Sequence, residues 1–340
     1  MNTIRLLCSL LVLAGLVTQA KAECVGKSLF SEWQKKHPEI IQAIEARSVQ
    51  MPFTKGKFFK ITKDGQRPSY VLGTIHVHDE RYIPLNPKIL AALNETELTA
   101  LELAQIGQIG FEDMDLSDEN PEEIMFWSLA ESGERPLDFL SAEEQLKLKN
   151  YVKEDSFSSV SLMLVSRPVN VALQLASMPC GKFPDPKITP GVDDSLAHAT
   201  RQAGRRVVGL EKISEQLKLL NDVPLHIQQE MLRSQIRAFP YSSDLLETAK
   251  QLYLSDDIGK LIAIMELDHP LFVEKYGHYP EEIMEKLLNV RNAIMVDRLL
   301  PLLKDKSVFV AVGAGHLPGE YGLLKLLEEQ GYKIERIDIN

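Results

Sequence analysis

Two stretches of this chain repeat one pattern, in which an apolar run leads into Gly-x-x-His and a helix and a second apolar run follow. The first stretch, SYVLGTIHV, contains His76, and the second, SVFVAVGAGH, ends at His316. Continuous apolar runs of this length are typical of strands that are buried on both faces of a parallel sheet. The repeat therefore predicts an α/β fold with a pseudo-duplicated, mostly parallel sheet formed by the N- and C-terminal segments together.

Acidic residues end two further predicted strands, TALEL at Glu102 and VVGLE at Glu211. Side chains that follow the carboxyl ends of parallel strands meet at one edge of the sheet, so that edge would gather His76, His316, Glu102 and Glu211. Imidazole and carboxylate groups together favour a divalent cation, and we predict a metal site to which each half of the sheet contributes. Alternatively, either carboxylate is a solvated strand end, and a single Gly-x-x-His would indicate only a turn.

Other polar residues near the predicted site have two interpretations each. His78 and Asp79 follow His76 closely, and they either orient its ring or simply open the next loop. In the predicted helix EEIMEKLLNVRNAIMVDRLL, Arg291 falls inside an apolar stripe and Asn292 lies on its flank. Because burying an unpaired guanidinium is costly, Arg291 is predicted to reach a carboxylate of the site or the substrate, or else to extend to solvent.

The remainder of the chain is mostly helical in pattern. Helical periodicity dominates residues from about 117 to 182 and from about 214 to 303, between the strand-bearing ends. No low-complexity linker divides the sequence. We therefore predict a single α/β domain over residues 23–340, with these two stretches as helical insertions.

The first 22 residues have the pattern of a cleaved secretory signal. MNTIR carries the positive charge, LLCSLLVLAGLV is too short an apolar run to span a membrane, and AKA is a cleavage site. We expect a periplasmic or secreted protein with no transmembrane segment after cleavage. Lipoprotein processing at Cys24 is the competing interpretation, but KAEC lacks the small residue that precedes such a cysteine.

The two cysteines of the mature chain, Cys24 and Cys180, are predicted to form a disulfide. In an oxidising compartment two cysteines usually pair, although they could also be separate thiols.

The overall charge excludes one class of partner. With 38 basic and 48 acidic residues the formal net charge is -10, which opposes binding to nucleic acid or anionic membranes.

Five ordered segments resemble the TraB/PrgY/GumN family: YVLGTIHV, ALELA, GVDDSLAHATRQAGRRVVGLEKISEQ, RNAIMVDRL and VAVGAGHLPGEYGLLKLLEEQGY. This family is similar to the TIKI metalloproteases. The resemblance covers nearly the whole mature chain and implies an α/β fold with paired Gly-x-x-His motifs and, in the TIKI branch, a metal-dependent hydrolytic site. The chain differs at GLEK, where a Thr often follows the Glu. The residues on family motif positions are His76, His316, Glu102, Glu211, Arg291 and Asn292.

The resulting hypothesis is an exported metal-dependent hydrolase acting on peptide or amide bonds, a substrate class implied by the resemblance alone. Its divalent ion would lie between the two Gly-x-x-His motifs, with Glu102 as a ligand beside His76 and His316. Glu102 or Glu211 could act as general base, and Arg291 could stabilise a developing oxyanion. The mixed nitrogen and oxygen ligands allow manganese, cobalt, iron or zinc.

Two non-catalytic classes also remain open from the sequence. The chain could bind a peptide, a small-molecule ligand, a metal complex or haem, for which His278 in KYGHYPEE is a candidate axial ligand. It could instead be an accessory factor for surface polysaccharide that acts through protein contacts. The sequence makes no prediction of the oligomeric state.

Overall fold

The structure of the chain, a computed structural model, describes residues 26–104, 119–152, 160–178 and 190–339. The strands in these ranges are β1 Phe58–Thr62, β2 Ser69–Thr74, β3 Leu98–Leu101, β4 Arg206–Gly209, β5 Val308–Gly313 and β6 Lys333–Arg336. The helices in the same ranges are α1 Phe30–Lys36, α2 Pro38–Ser48, α3 Pro87–Glu95, α4 Pro121–Ser128, α5 Pro136–Phe139, α6 Ala142–Tyr151, α7 Val160–Met163, α8 Pro168–Ser177, α9 Val192–Gln202, α10 Ile213–Asn221, α11 Leu225–Ala238, α12 Ser242–Leu254, α13 Ile258–Met265, α14 Pro270–Tyr276, α15 Glu281–Met284, α16 Val290–Asp305 and α17 Leu323–Glu329.

These strands form one sheet in the order β4-β3-β5-β2-β1-β6. The four strands from β4 to β2 pair in parallel, whereas β1 runs antiparallel to both of its neighbours. The last long strand, β5, lies between β3 and β2, so the two ends of the chain interleave at the sheet centre. The predicted α/β fold with a mostly parallel sheet is confirmed, as is the largely helical centre of the chain.

Helices cover both faces of the sheet. Val71 and Val310 face α16 and α17, where they pack in one apolar cluster with Leu299 and Leu323. Successive strand residues point to opposite faces, so their neighbours, such as Leu72, pack against α3 and α9. Both β2 and β5 are buried along nearly their whole length, which explains their continuous apolar sequences. Each fully buried aliphatic side chain stabilises the fold by about 1.5–3 kcal/mol.

The sheet departs from the sequence prediction in two respects. Strand β1, FFKIT, was not predicted, because Lys60 interrupts the continuous apolar run expected of a strand buried on both faces. The pseudo-duplication is not confirmed. After β2 the chain crosses to β3 on one side of the sheet, whereas after β5 it crosses to β6 at the opposite edge.

Some sequence predictions fall outside the described residues. The predicted signal segment 1–22 lies there, and so do both Cys24 and Cys180, so that disulfide stays a prediction. Within the described part of the chain, no helix is both long and apolar enough to cross a membrane.

Candidate functional site

The four strand ends named from the sequence lie at one level of the sheet. Thr74 at the end of β2 pairs with Gly313 at the end of β5. Leu101 at the end of β3 is in register with Gly209 of β4, and beyond them Glu211 N–H donates to the Glu102 carbonyl at 2.9 Å. The parallel register therefore brings both Gly-x-x-His motifs and both acidic strand ends to the carboxyl edge of the sheet.

Asp193 fixes the ring of His76. Its carboxylate lies 2.8 Å from His76 Nδ1 and also accepts a 2.6 Å hydrogen bond from the Thr74 hydroxyl. Asp193 stands in the first turn of α9 and is only 2% exposed, whereas the His76 side chain is 60% exposed. The Asp193 carboxylate raises the pKa of His76 to about 10. Because Nδ1 is engaged, Nε2 is the atom that His76 presents to the site.

Asn292 fixes the ring of His316 in a similar way. Asn292 Nδ2 donates to the Tyr321 carbonyl at 2.8 Å, so its Oδ1 is free to accept from His316 Nδ1 at 2.7 Å. This assigns the proton to Nδ1 and leaves a lone pair on Nε2. Burial lowers the pKa of His316 to about 3, so the ring is neutral at neutral pH. His316 Nε2 lies 3.6 Å from Glu102 Oε1.

Glu102 lies between the two histidines and a buried guanidinium. Its Oε1 accepts the Gly313 N–H at 2.6 Å, and its Oε2 accepts Arg291 Nη2 at 2.8 Å. Burial alone would raise the pKa of Glu102, but the positive charges of Arg291 and His76, together with the Gly313 N–H, lower it to about 2. Glu102 is therefore an anion throughout the physiological pH range.

Arg291 joins the two carboxylates into a buried ion cluster. Its Nε and Nη2 donate to Glu211 at distances from 2.8 to 3.1 Å, and Nη2 is shared with Glu102. Nη1 donates to the Leu287 carbonyl at 3.0 Å. Gln216 donates to Glu211 Oε2 at 3.0 Å. Both oxygens of Glu211 therefore accept hydrogen bonds, and the Arg291 guanidinium is fixed between the carboxylates of Glu102 and Glu211.

A π-helical segment, Glu285–Asn289, precedes α16. A π-helical turn holds one more residue than an α-turn, which changes the faces that the following side chains present, and such turns recur at functional sites. Immediately after it, consecutive residues Arg291 and Asn292 are both buried and reach different parts of the site.

Close approach explains the glycine of each motif. A Cβ on Gly73 would lie 2.6 Å from Leu317 Cδ1 and 2.9 Å from Ala314 Cα, so the first motif packs directly on the turn of the second. A Cβ on Gly313 would lie 3.2 Å from Glu102 Oε1, 3.5 Å from His76 Nε2 and 3.6 Å from His316 Cδ2. One small space beside Gly313 is therefore lined by the two rings and the carboxylate.

The donor chemistry of this space fits a divalent cation. His76 Nε2, His316 Nε2 and Glu102 Oε1 are two imidazole nitrogens and one carboxylate oxygen, and the second nitrogen of each ring is held by a neighbouring side chain, as is usual for metal-binding histidines. The ligands are not preassembled, since no three His, Cys, Asp or Glu side chains in the described ranges are already arranged to hold a metal ion. Binding would also have to displace the proton of His76 Nε2.

The structure places the remaining predicted residues away from His76. His78 Nδ1 lies 3.1 Å from the Pro190 carbonyl. Asp79 forms ion pairs with Arg81 and Lys250, at 2.6 and 3.2 Å. The side chain that orients His76 is instead Asp193, which the sequence analysis did not single out. The sequence feature that could have indicated Asp193 is the acidic pair of GVDD at the start of a helix, because an aspartate at such a position can point into the protein.

The chain matches the TraB/PrgY/gumN family over residues 58–336. "Metalloprotease TIKI1" of Danio rerio is 26% identical over 323 residues, which cover 79% of this chain and 60% of that protein. "Metalloprotease TIKI2" of Danio rerio is 24% identical over 306 residues, with coverage of 79% and 58%. "Metalloprotease TIKI1" of Homo sapiens is 24% identical over 301 residues, with coverage of 79% and 59%. This chain thus spans about three fifths of the length of these relatives.

No solved structure matches the chain. The family match begins at the first residue of β1 and ends at the last residue of β6, so it includes the whole sheet and every side chain of the site described above. The chain belongs to the TraB/PrgY/gumN family.

Proposed function

We propose that this protein is a metal-dependent hydrolase of peptide or amide bonds that holds one divalent ion with His76, His316 and Glu102. The observation that carries the proposal is the matched engagement of the two rings, because each Nδ1 is bound by a neighbouring side chain. His316 Nε2 lies 3.6 Å from Glu102 Oε1, and His76 Nε2 borders the same space beside Gly313 as Glu102 Oε1. The name metalloprotease, which the relatives carry, supports the same reaction class. Manganese, cobalt, iron and zinc all accept this ligand set.

Of the two acidic strand ends, only Glu102 offers an oxygen to the histidines. Both oxygens of Glu211 accept hydrogen bonds from Arg291, so we assign Glu211 the role of holding Arg291 and not that of general base. Arg291 in turn compensates the charge of Glu102 at Oε2 and leaves Oε1 for the ion. We therefore assign Arg291 to charge compensation instead of oxyanion stabilisation.

A divalent ion held here would polarise the scissile carbonyl and lower the pKa of bound water to about 7. The role of the surrounding protein residues is to hold the ligand atoms in position. Asp193 and Asn292 hold the Nδ1 atoms so that both Nε2 atoms stay directed at the site. His76 is the exposed member of the set, which makes its side of the site the side from which substrate approaches.

Metal content tests the proposal. Purified protein would be reconstituted separately with manganese, cobalt, iron and zinc, and ions per chain would be counted by mass spectrometry for the native protein, His76→Ala, His316→Ala and His198→Ala. His198 is an exposed histidine of α9 and serves as the matched control. We expect about one ion per chain in the native and control proteins and loss of it in both site variants, with peptidase activity following metal content. A native protein that takes up none of the four metals would overturn the proposal.

We also propose that the protein is exported, which is supported by the signal-like pattern of residues 1–22. N-terminal sequencing of the protein recovered outside the cytoplasm should then begin at Glu23. Recovery of the full-length chain from the cytoplasm alone would contradict this part of the proposal.

A further inference from the structure

An apolar cavity of about 230 Å³ lies among the helices α8, α11, α12, α13 and α14. None of its lining residues belongs to the ion cluster or to the two Gly-x-x-His motifs. Most of the wall is aliphatic or aromatic, and it includes Leu175, Phe239, Leu245, Leu261, Ile264 and Phe272. An engineered apolar cavity of about 150 Å³ in another protein stays dry and binds benzene, so this cavity is large enough for a group of one to two rings.

The wall also contains polar side chains, one of which has a buried nitrogen without a hydrogen-bond partner within the described residues. Gln235 is 8% exposed, and its polar side chain lines the cavity. His278 also lines the cavity, and its Nδ1 is buried without a hydrogen-bond partner. Buried polar groups are nearly always hydrogen-bonded because burying them unpaired is costly. Their position in an otherwise apolar wall points to a ligand that brings its own hydrogen-bonding group.

The charges around the cavity restrict the ligand further. None of the described residues that line it is a lysine or an arginine. The neighbouring cleft shares His278 and Tyr279 with the cavity and is lined by Glu266, Asp268 and Glu281, with Arg47 as its single cation among the described lining residues. Arg47 is itself paired with Glu266 at 2.7 Å. An anionic ligand would meet uncompensated acidic side chains, whereas a neutral or cationic ligand would not.

We propose that this cavity is a binding site for a small neutral or cationic molecule with an apolar body of one to two rings and one hydrogen-bond donor. The body fills the apolar part of the cavity, and the donor reaches Gln235 or His278. The proposal does not depend on the hydrolase function, because it uses none of the residues assigned to the metal.

Three indole compounds test the proposal by calorimetry on the full chain: indole, tryptamine and indole-3-propionate. We expect indole and tryptamine to bind with a Kd of about 1 mM or tighter, and the anionic propionate to bind at least about tenfold more weakly. Filling the cavity with Ala249→Phe should abolish indole binding, while far-UV circular dichroism and metal content stay at native values.

A second variant tests the hydrogen bond to the ligand separately from the volume of the cavity. Replacing both candidate acceptors, Gln235→Leu with His278→Phe, should weaken indole binding about threefold to tenfold by removing a hydrogen bond, and it should leave the binding of toluene, which has no donor, unchanged or stronger. If Ala249→Phe does not fold, this indole-against-toluene comparison still decides the outcome. Absence of indole and tryptamine binding to the native protein, or equal effects of the double replacement on indole and toluene, would overturn the proposal.

Discussion

Replacing Arg291 with methionine would leave the carboxylates of Glu102 and Glu211 buried without the cation that they share. Removing one partner of a buried ion pair typically costs about 3–5 kcal/mol. Because one guanidinium serves two carboxylates here, we expect the upper part of that range, about 4–5 kcal/mol of unfolding free energy at pH 7.

The loss of unfolding free energy should depend on pH. In the native protein the pKa of Glu102 is about 2, below its ordinary 4.5, so this group stabilises the fold above about pH 4.5 and the contribution is lost as the pH falls towards 2. Without Arg291, burial raises the pKa of Glu102, and the folded variant holds a proton that the unfolded chain has released. The destabilisation should therefore be smaller at pH 5 than at pH 7.

Urea unfolding followed by circular dichroism at both pH values measures the effect. The matched control is Arg298→Met on the same helix, whose ion pair with Glu215 has side chains that are 40% and 37% exposed. Such a pair contributes less than about 1 kcal/mol. If Arg291→Met does not fold at pH 7, Arg291→Lys keeps the charge without the two-pronged geometry and should lose less stability. A loss no larger than that of the control, or one equal at both pH values, would refute the reasoning.

Of three further predictions, two concern the surroundings of the site and one concerns the two cysteines. Asp193→Asn should move the pKa of His76 from about 10 back towards its ordinary 6.5, as measured by NMR of the ring nitrogens in metal-free protein, and it should weaken metal binding about 10- to 100-fold; an unchanged pKa would contradict the role of Asp193. Tyr253 and Tyr82 donate to the carbonyls of Gly73 and Val77, on either side of His76, at 3.0 and 2.6 Å. Tyr253→Phe should cost about 1–3 kcal/mol of unfolding free energy because it leaves a buried carbonyl unpaired, and Tyr82→Phe, at a less buried phenol, should cost less; the reverse order would count against this account. The proposed Cys24–Cys180 disulfide predicts a mature protein with no thiol that reacts before reduction and two that react after it, so two reactive thiols in the unreduced, denatured chain would exclude the disulfide.

Several elements were predictable because their signals are local. The apolar runs of β2 and β5, the Leu-Glu ends of the strands at Glu102 and Glu211, and the helix that starts at Val192 all follow from short patterns of apolar and polar residues. The burial of Arg291 could also be predicted, since helical periodicity placed it inside an apolar stripe. Each of these predictions needed only about one helix or strand of sequence.

The partners of the histidines were not predictable from the same patterns. Asp79, which directly follows His78, pairs with Arg81 two residues further along the chain and with Lys250, and not with His76. The carboxylate that holds His76 comes from Asp193, which is 117 residues away. Nothing in the sequence indicates that the helix bearing Asp193 begins beside the end of β2.

The sequence by itself determined the four parallel strands β2, β3, β4 and β5 and which chemistry-bearing residues follow their ends, because burial on both faces leaves a local apolar pattern. The tertiary structure alone decided that Glu102 faces the histidines while Glu211 is occupied by Arg291. It also decided which nitrogen each ring presents. The physical reason is strand order: β5 inserts between β3 and β2, and this placement sets the distances between groups that are far apart along the chain.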